Sequence, residues 1–182
     1  MKSTWYKVVI VILATLNVLL LYQNHQLKAG GTPPLARPEL YVGQLQIPPV
    51  PVIDRDNRVV SLADLVGQSE FTVLVFFSPS DCPPCFSEKD LWGQIRKQSG
   101  IPVLGIASSP DPRELWQWVG NTGIPIEVYL DSSLIVESMM DFARTPLKAL
   151  VDSTGTILWA DPPRLEPAER ESFWRDLSNA ME

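Results

Sequence analysis

Cys82-Pro83-Pro84-Cys85 holds the only two cysteines of the chain, and it sits between two segments of opposite character. Before it, Phe71-Thr72-Val73-Leu74-Val75-Phe76-Phe77 is apolar without alternation. That pattern reads as a strand at the centre of a sheet covered on both faces. After it, Phe86-Ser87-Glu88-Lys89-Asp90-Leu91-Trp92 reads as a helix that ends near Ser99, with Gly100 as its C-cap. A C-x-x-C at a strand-to-helix junction is the layout of a thiol–disulfide redox pair. Cys82 falls at the helix N-terminus, where the macrodipole and unpaired amides favour a thiolate, so it is the expected exposed nucleophile. Cys85 lies one turn further in, as the buried thiol that resolves a mixed disulfide. A purely structural disulfide closing so short a loop would constrain the unfolded chain little. Zinc would want four ligands, and the chain offers two cysteines and the distant His25. No metal or other cofactor is expected.

The formal net charge is −6. Residues 1–30 hold Lys2, Lys7 and Lys28 and no acid, which leaves 12 basic against 21 acidic residues beyond them, a net of about −9. So acidic a domain lacks the basic face that nucleic acid requires. The N-terminus has a different character. Lys2 and Lys7 precede an apolar run from Val8 to Tyr22, interrupted by Thr15 and Asn17 and flanked by Trp5, Tyr6 and Tyr22. This reads as an uncleaved signal anchor, because no clean small-x-small cleavage site follows it; a cleaved signal peptide is the competing reading. The expected organisation is an anchor helix over 1–28, a linker over 29–46 and one domain over 47–182. The expected location is single-pass in the inner membrane, with the domain facing the periplasm or the cell exterior.

Breakers at Pro48, Pro49 and Pro51 make the approach to the domain extended. Pro51–Asp54 and Arg58–Ser61 flank a turn and read as a hairpin, with Ser61 capping one helical turn. Ile101–Ala107 and Ile126–Tyr129 read as further strands. Asp111-Pro112 opens a helix as N-cap and first residue, and Ser132–Phe142 reads as a short one. Pro146–Val151 and Thr156–Ala160 flank the turn Asp152-Ser153-Thr154-Gly155, and Glu166–Met181 closes the chain as a helix. The alternation implies an α/β mixed central sheet with helices on both faces.

At residue level, Phe76-Phe77-Ser78-Pro79-Ser80-Asp81-Cys82-Pro83-Pro84-Cys85, with Glu88 three residues on, resembles the site of TlpA/ResA-type thioredoxin-like proteins. Pro51-Val52-Ile53-Asp54…Val60-Ser61-Leu62-Ala63-Asp64-Leu65 resembles that family's leading hairpin. Arg144-Thr145-Pro146-Leu147-Lys148-Ala149-Leu150-Val151-Asp152 resembles its cis-proline segment and terminal hairpin. The resemblance covers about residues 45 to 180 and implies a thioredoxin fold, extracytoplasmic exposure and thiol–disulfide exchange. It also implies a cis Thr145–Pro146 bond whose backbone meets an extended substrate strand. The chain departs from the pattern at Asp81, where an aromatic residue is usual, and at Phe76, where thioredoxins carry a buried acid. Asp81 opposes a neighbouring thiolate or caps the helix. Glu88 is a candidate thiol-tuning group, against the plainer reading of a solvated first-turn acid.

Together these readings point to a membrane-anchored thiol–disulfide oxidoreductase, by expectation a protein-disulfide reductase. Its partners would be protein disulfides and a membrane thiol donor, and the resemblance suggests cytochrome c maturation or similar cofactor assembly. A peroxidase reading fails because the Pro-x-x-x-Thr/Ser-x-x-Cys pattern is missing before Cys82. A metallochaperone would need a histidine on the domain. An assembly partner that holds clients without turnover is the remaining non-enzyme alternative.

Overall fold

The computed structural model describes residues 15, 17, 42–43, 45–79, 82–140, 145–164 and 167–182. The chain divides into two compact units, Met1–Leu35 and Ala36–Glu182. In the first, Thr15 and Asn17 are described and both are helical. Among the described residues no helix is long and apolar enough to cross a membrane. This corrects the expected single-pass placement in the inner membrane. The apolar run from Val8 to Tyr22, about 15 residues, is itself short of the ~20 that a span needs.

In the second unit, β1 (Pro51–Ile53) and β2 (Val59–Ser61) form the expected hairpin, with Val52 opposite Val60. The helical turn α1 (Leu62–Val66) follows, and Ser61 stands at its N-cap without making the expected side-chain capping bond. β3 (Phe71–Phe77) leads to α2 (Pro83–Ser99), which Gly100 ends in a left-handed conformation at φ 73°. β4 (Val103–Ser108), α3 (Pro112–Thr122), β5 (Glu127–Asp131) and α4 (Ile135–Met140) come next. At the start of α3 Asp111 caps as expected, its carboxylate accepting from the Arg113 N–H at 2.9 Å. Helix α4 starts later than Ser132 because buried Asp131 intervenes, accepting from the Ser133 hydroxyl at 2.6 Å and the Val136 N–H at 2.8 Å. β6 (Leu147–Asp152), β7 (Ile157–Asp161) and α5 (Pro167–Asn179) complete the unit.

The seven strands form one mixed sheet in the order β2-β1-β5-β4-β3-β6-β7. β3, β4 and β5 run parallel to one another, and β6 joins β3 antiparallel. The segment just before β1 extends the far edge: Gln46 bridges Thr156, and the Ile47 N–H donates to the Gly155 carbonyl at 2.8 Å.

Side chains of β3 alternate between two buried layers, which explains why the strand is apolar throughout. Val73, Val75 and Phe77 join Trp92, Ile95, Leu115 and Phe173 on one face. Leu74 and Phe76 join Leu62, Val66 and Val136 on the other. Both cysteines belong to the first layer.

Candidate active site

The apolar strand β3 fixes where the cysteines emerge. It ends at Phe77, and Cys82 occupies the N-cap position of α2. Pro83 and Pro84 fill the first two helical positions, where a proline's missing N–H costs least and its fixed φ suits the helix. The Cys85 N–H donates to the Cys82 carbonyl at 3.1 Å. The two sulfurs are joined as a disulfide, with the Cα atoms 5.3 Å apart. Cys82 is 3% exposed and Cys85 1%. The expected contrast between an exposed Cys82 and a buried Cys85 is therefore missing in the oxidised state. With the disulfide formed, both cysteines lie in the buried layer that includes Trp92 and Phe77.

Beside the pair, Phe86 is 54% exposed and meets Trp118 edge-on, with ring centroids 5.8 Å apart. Phe77 and Trp92 stack below it. Asp81, the residue in front of Cys82, lies outside the described residues.

The Thr145–Pro146 peptide bond is cis. Pro146 is buried and Thr145 half-buried. The next residue, Leu147, pairs with Phe76, one position from the end of the strand that delivers the cysteines. The ladder thus brings Pro146 and Cys82 to the same end of the sheet.

Glu88 is fully buried rather than a solvated first-turn acid. It sits three residues after Cys85, on the same helical face. Its carboxylate accepts from Lys148 Nζ at 2.8 and 3.1 Å and from the Arg164 N–H. Lys148 is also fully buried; it donates to the Pro162 carbonyl at 2.9 Å and lies 3.2 Å from Asp161 Oδ2. Arg164 then binds Asp161 at 2.6 Å and Asp176 at 2.8 Å. Burial works against the charge of Arg164, but its hydrogen bonds with Asp161 and Asp176 hold its pKa above the ordinary value. Breaking the fully buried Lys148–Glu88 pair from one side costs about 3–5 kcal/mol, because the remaining charge is left uncompensated.

Lys148, Asp161 and Arg164 are absent from the sequence expectation. One signal was available: Lys148 is the lone charge inside the apolar strand Leu147–Val151. A buried lysine needs a carboxylate, but its partner lies sixty residues away on α2.

A cavity of about 550 Å³ lies apart from this site, between the hairpin and α3, with Arg58, Trp116, Ile126 and Tyr129 on its walls. Burial and the nearby Glu127 carboxylate raise the pKa of the Tyr129 phenol there.

With this geometry in view, the family is decided by the match of residues 42–173 to the Redoxin family model. The chain belongs to the Redoxin family. No curated protein matches the sequence. Among solved structures, a Chlorobium tepidum protein assigned as thiol:disulfide interchange protein DsbE is similar, at 18% identity and a TM-score of 0.62. The alignment covers 75% of this chain and 96% of that one. A Neisseria meningitidis protein assigned as a thioredoxin is 25% identical, with a TM-score of 0.55 over 74% of this chain and 88% of its own. A secreted Mycobacterium tuberculosis disulfide oxidoreductase is 18% identical, with a TM-score of 0.55 over 71% and 96%. The fold of this Redoxin family member is accordingly thioredoxin-like. Its bonded, adjacent cysteines are a redox-active pair, and its activity is that of a thiol–disulfide oxidoreductase.

Proposed function

We propose that this protein is a protein-disulfide reductase of the TlpA/ResA type, with Cys82 as nucleophile and Cys85 as resolving thiol. The observation that carries the direction is the donor-poor end of α2. Pro83 and Pro84 have no N–H, and the Cys85 N–H is directed at the Cys82 carbonyl. A Cys82 thiolate keeps the helix dipole but loses the nearest amides that would hydrogen-bond it. A dithiol that gains little by ionising is less stabilised in its reduced form, so the pair gives up electrons readily.

In the reduced protein Cys82 Sγ attacks one sulfur of a partner disulfide. The partner S–S bond breaks, one partner thiolate leaves, and a mixed disulfide forms. Cys85 then loses its proton and attacks Cys82 Sγ, which closes the Cys82–Cys85 bond and releases the second partner thiolate. Two electrons pass to the partner, and the protons shed by the two cysteines balance those taken up by its sulfurs. Thr145 and Pro146 are the proposed contact for an extended substrate strand, and Glu88 and Asp81 are the proposed tuning groups. Regeneration needs a second dithiol, proposed to be a membrane thiol protein, and the proposed pathway is cytochrome c maturation or related cofactor assembly.

Insulin reduction tests the reading. Cys82→Ser should abolish turnover, and Cys85→Ser should accumulate mixed disulfides on Cys82. A reduction potential near thioredoxin's, about −270 mV, supports the reductase direction, and one near DsbA's, about −120 mV, overturns it. Full pathway support by Cys82→Ser would instead identify an assembly partner without turnover.

A further inference from the structure

We propose that Lys148 is a positioning residue for disulfide exchange: its ammonium compensates the Glu88 carboxylate that α2 carries one turn beyond Cys85. This rests on the reading of Cys85 as the resolving thiol.

Five segments meet around Glu88. Its own helix presents Cys85, three residues earlier on the same buried face. β6 presents Lys148, and β7 presents Asp161 on the far side of that ammonium. The stretch after β7 presents the Arg164 N–H, while the Arg164 guanidinium turns away to Asp161 and Asp176. α5 packs the ring of Phe173 against the group, 5.9 Å from Lys148 Nζ, and its Arg170 guanidinium donates to the Ser87 carbonyl, beside Glu88 in the chain, at 3.0 Å. The Lys148 ammonium donates to both Glu88 carboxylate oxygens and to the Pro162 carbonyl, and lies 3.2 Å from Asp161 Oδ2. It is the one full positive charge in contact with Glu88 among the described residues.

The placement ties the two halves of the site together. Lys148 stands two residues after Pro146, and Glu88 three residues after Cys85. A buried ion pair is a poor device for stability alone, since well-packed apolar residues usually do as well. Its electrostatic consequence is specific. Resolution of the mixed disulfide requires Cys85 as a thiolate. An uncompensated carboxylate one turn away, in a buried layer, would oppose that ionisation. Lys148 offsets that opposition and so favours ionisation of the resolving thiol.

The test is a pH titration of thiolate absorbance in the Cys82→Ser background, where Cys85 is the sole thiol. It compares that protein with versions also carrying Lys148→Met, Glu88→Gln, or both. Lys148→Met should raise the Cys85 midpoint by about one pH unit or more, and Glu88→Gln should lower it by a similar amount. The double variant should return close to the starting curve. Shifts in the same direction, or unmoved curves accompanied by lost stability, would overturn the proposal and leave Lys148 a structural residue. Should Lys148→Met not fold, the remaining pair decides: Glu88→Gln must fall and the double variant must not. The titration is independent of client turnover. If Cys85→Ser traps no mixed disulfide, the reductase reading fails while the titration still reports on Lys148.

Discussion

Trp92 stacks on Phe77 beneath the cysteine helix, with ring centroids 5.9 Å apart and the planes inclined by 24°. Both are fully buried, and Phe77 also meets Trp118 at 5.3 Å. This aromatic layer joins the end of β3 to α2 and so supports the base of the disulfide. The Trp92 indole Nε1 is buried without a hydrogen-bond partner. Trp92→Ala should therefore cost about 3–5 kcal/mol by opening a cavity. Trp92→Phe keeps a ring against Phe77 and removes the unsatisfied donor, so it should cost less than about 1.5 kcal/mol. Denaturant unfolding of the two variants checks the contrast; equal losses would show that the indole edge is essential to the packing.

Asp111 and Ser61 look alike in sequence, each a capping residue type in front of a helical segment. Only Asp111 accepts a first-turn amide. Asp111→Ala should lose about 1 kcal/mol of stability, and Asp111→Asn much less. Ser61→Ala should fall within about 0.5 kcal/mol of the parent. A larger loss at Ser61 than at Asp111 would invert the structural assignment.

Much of the fold was legible because it rests on local chemistry. The unbroken apolar run of β3, the Asp111-Pro112 start and the glycine after Ser99 each specify one conformation without help from distant residues. The cysteine pair was legible for the same reason, since its placement follows from one strand and one helix. What stayed hidden depends on register. Glu88 reads as a solvated first-turn acid until β6 pairs with β3 and sets Lys148 opposite Val75, on the face that carries the cysteines. Val75 and Leu150 belong to that same layer, whereas Leu147 and Ala149 face the other side. Burial of Cys82 was equally hidden, because helix-end logic places a thiol at the N-cap and says nothing of the packing around it. The N-terminal apolar run suggested a span that no described helix provides.

Asp152 organises the β6–β7 turn. Its Oδ1 accepts from the Thr154 N–H at 2.8 Å, the Thr154 hydroxyl at 2.6 Å and the Thr156 N–H at 2.9 Å. Gly155 completes the turn at φ 84°. Burial pushes the Asp152 pKa up, but hydrogen bonds from Thr154, Thr156 and Gly155 outweigh it and hold the pKa below the ordinary carboxyl value. A depressed carboxyl pKa contributes stability that is present above the unfolded value and is lost as pH falls through the folded one. Asp152→Ala should therefore cost about 1 kcal/mol near pH 7 through lost hydrogen bonds. The difference from the parent should hold between about pH 5 and 8 and narrow only below about pH 4. Chemical denaturation at several pH values measures it, and a gap that widened in acid would contradict the sign.

Asp81 precedes Cys82 in the sequence. Asp81 lies outside the described residues, and the two roles proposed for it, a helix cap or a charge beside the thiol, make different predictions. The electrostatic role is the one a charge-removing substitution tests. A carboxylate next to the nucleophile disfavours its thiolate, which weakens stabilisation of the reduced form and makes the pair more reducing. Asp81→Asn removes the charge and keeps the shape. It should lower the Cys82 midpoint by about one pH unit or less and move the pair toward a more oxidising potential. The pH dependence of alkylation in the reduced proteins reads the first effect, and equilibration with glutathione reads the second. The two must move together, because a thiolate that is easier to form stabilises the dithiol state relative to the disulfide. A raised midpoint would contradict the electrostatic argument, and an unmoved one would show that the Asp81 charge does not reach the sulfur.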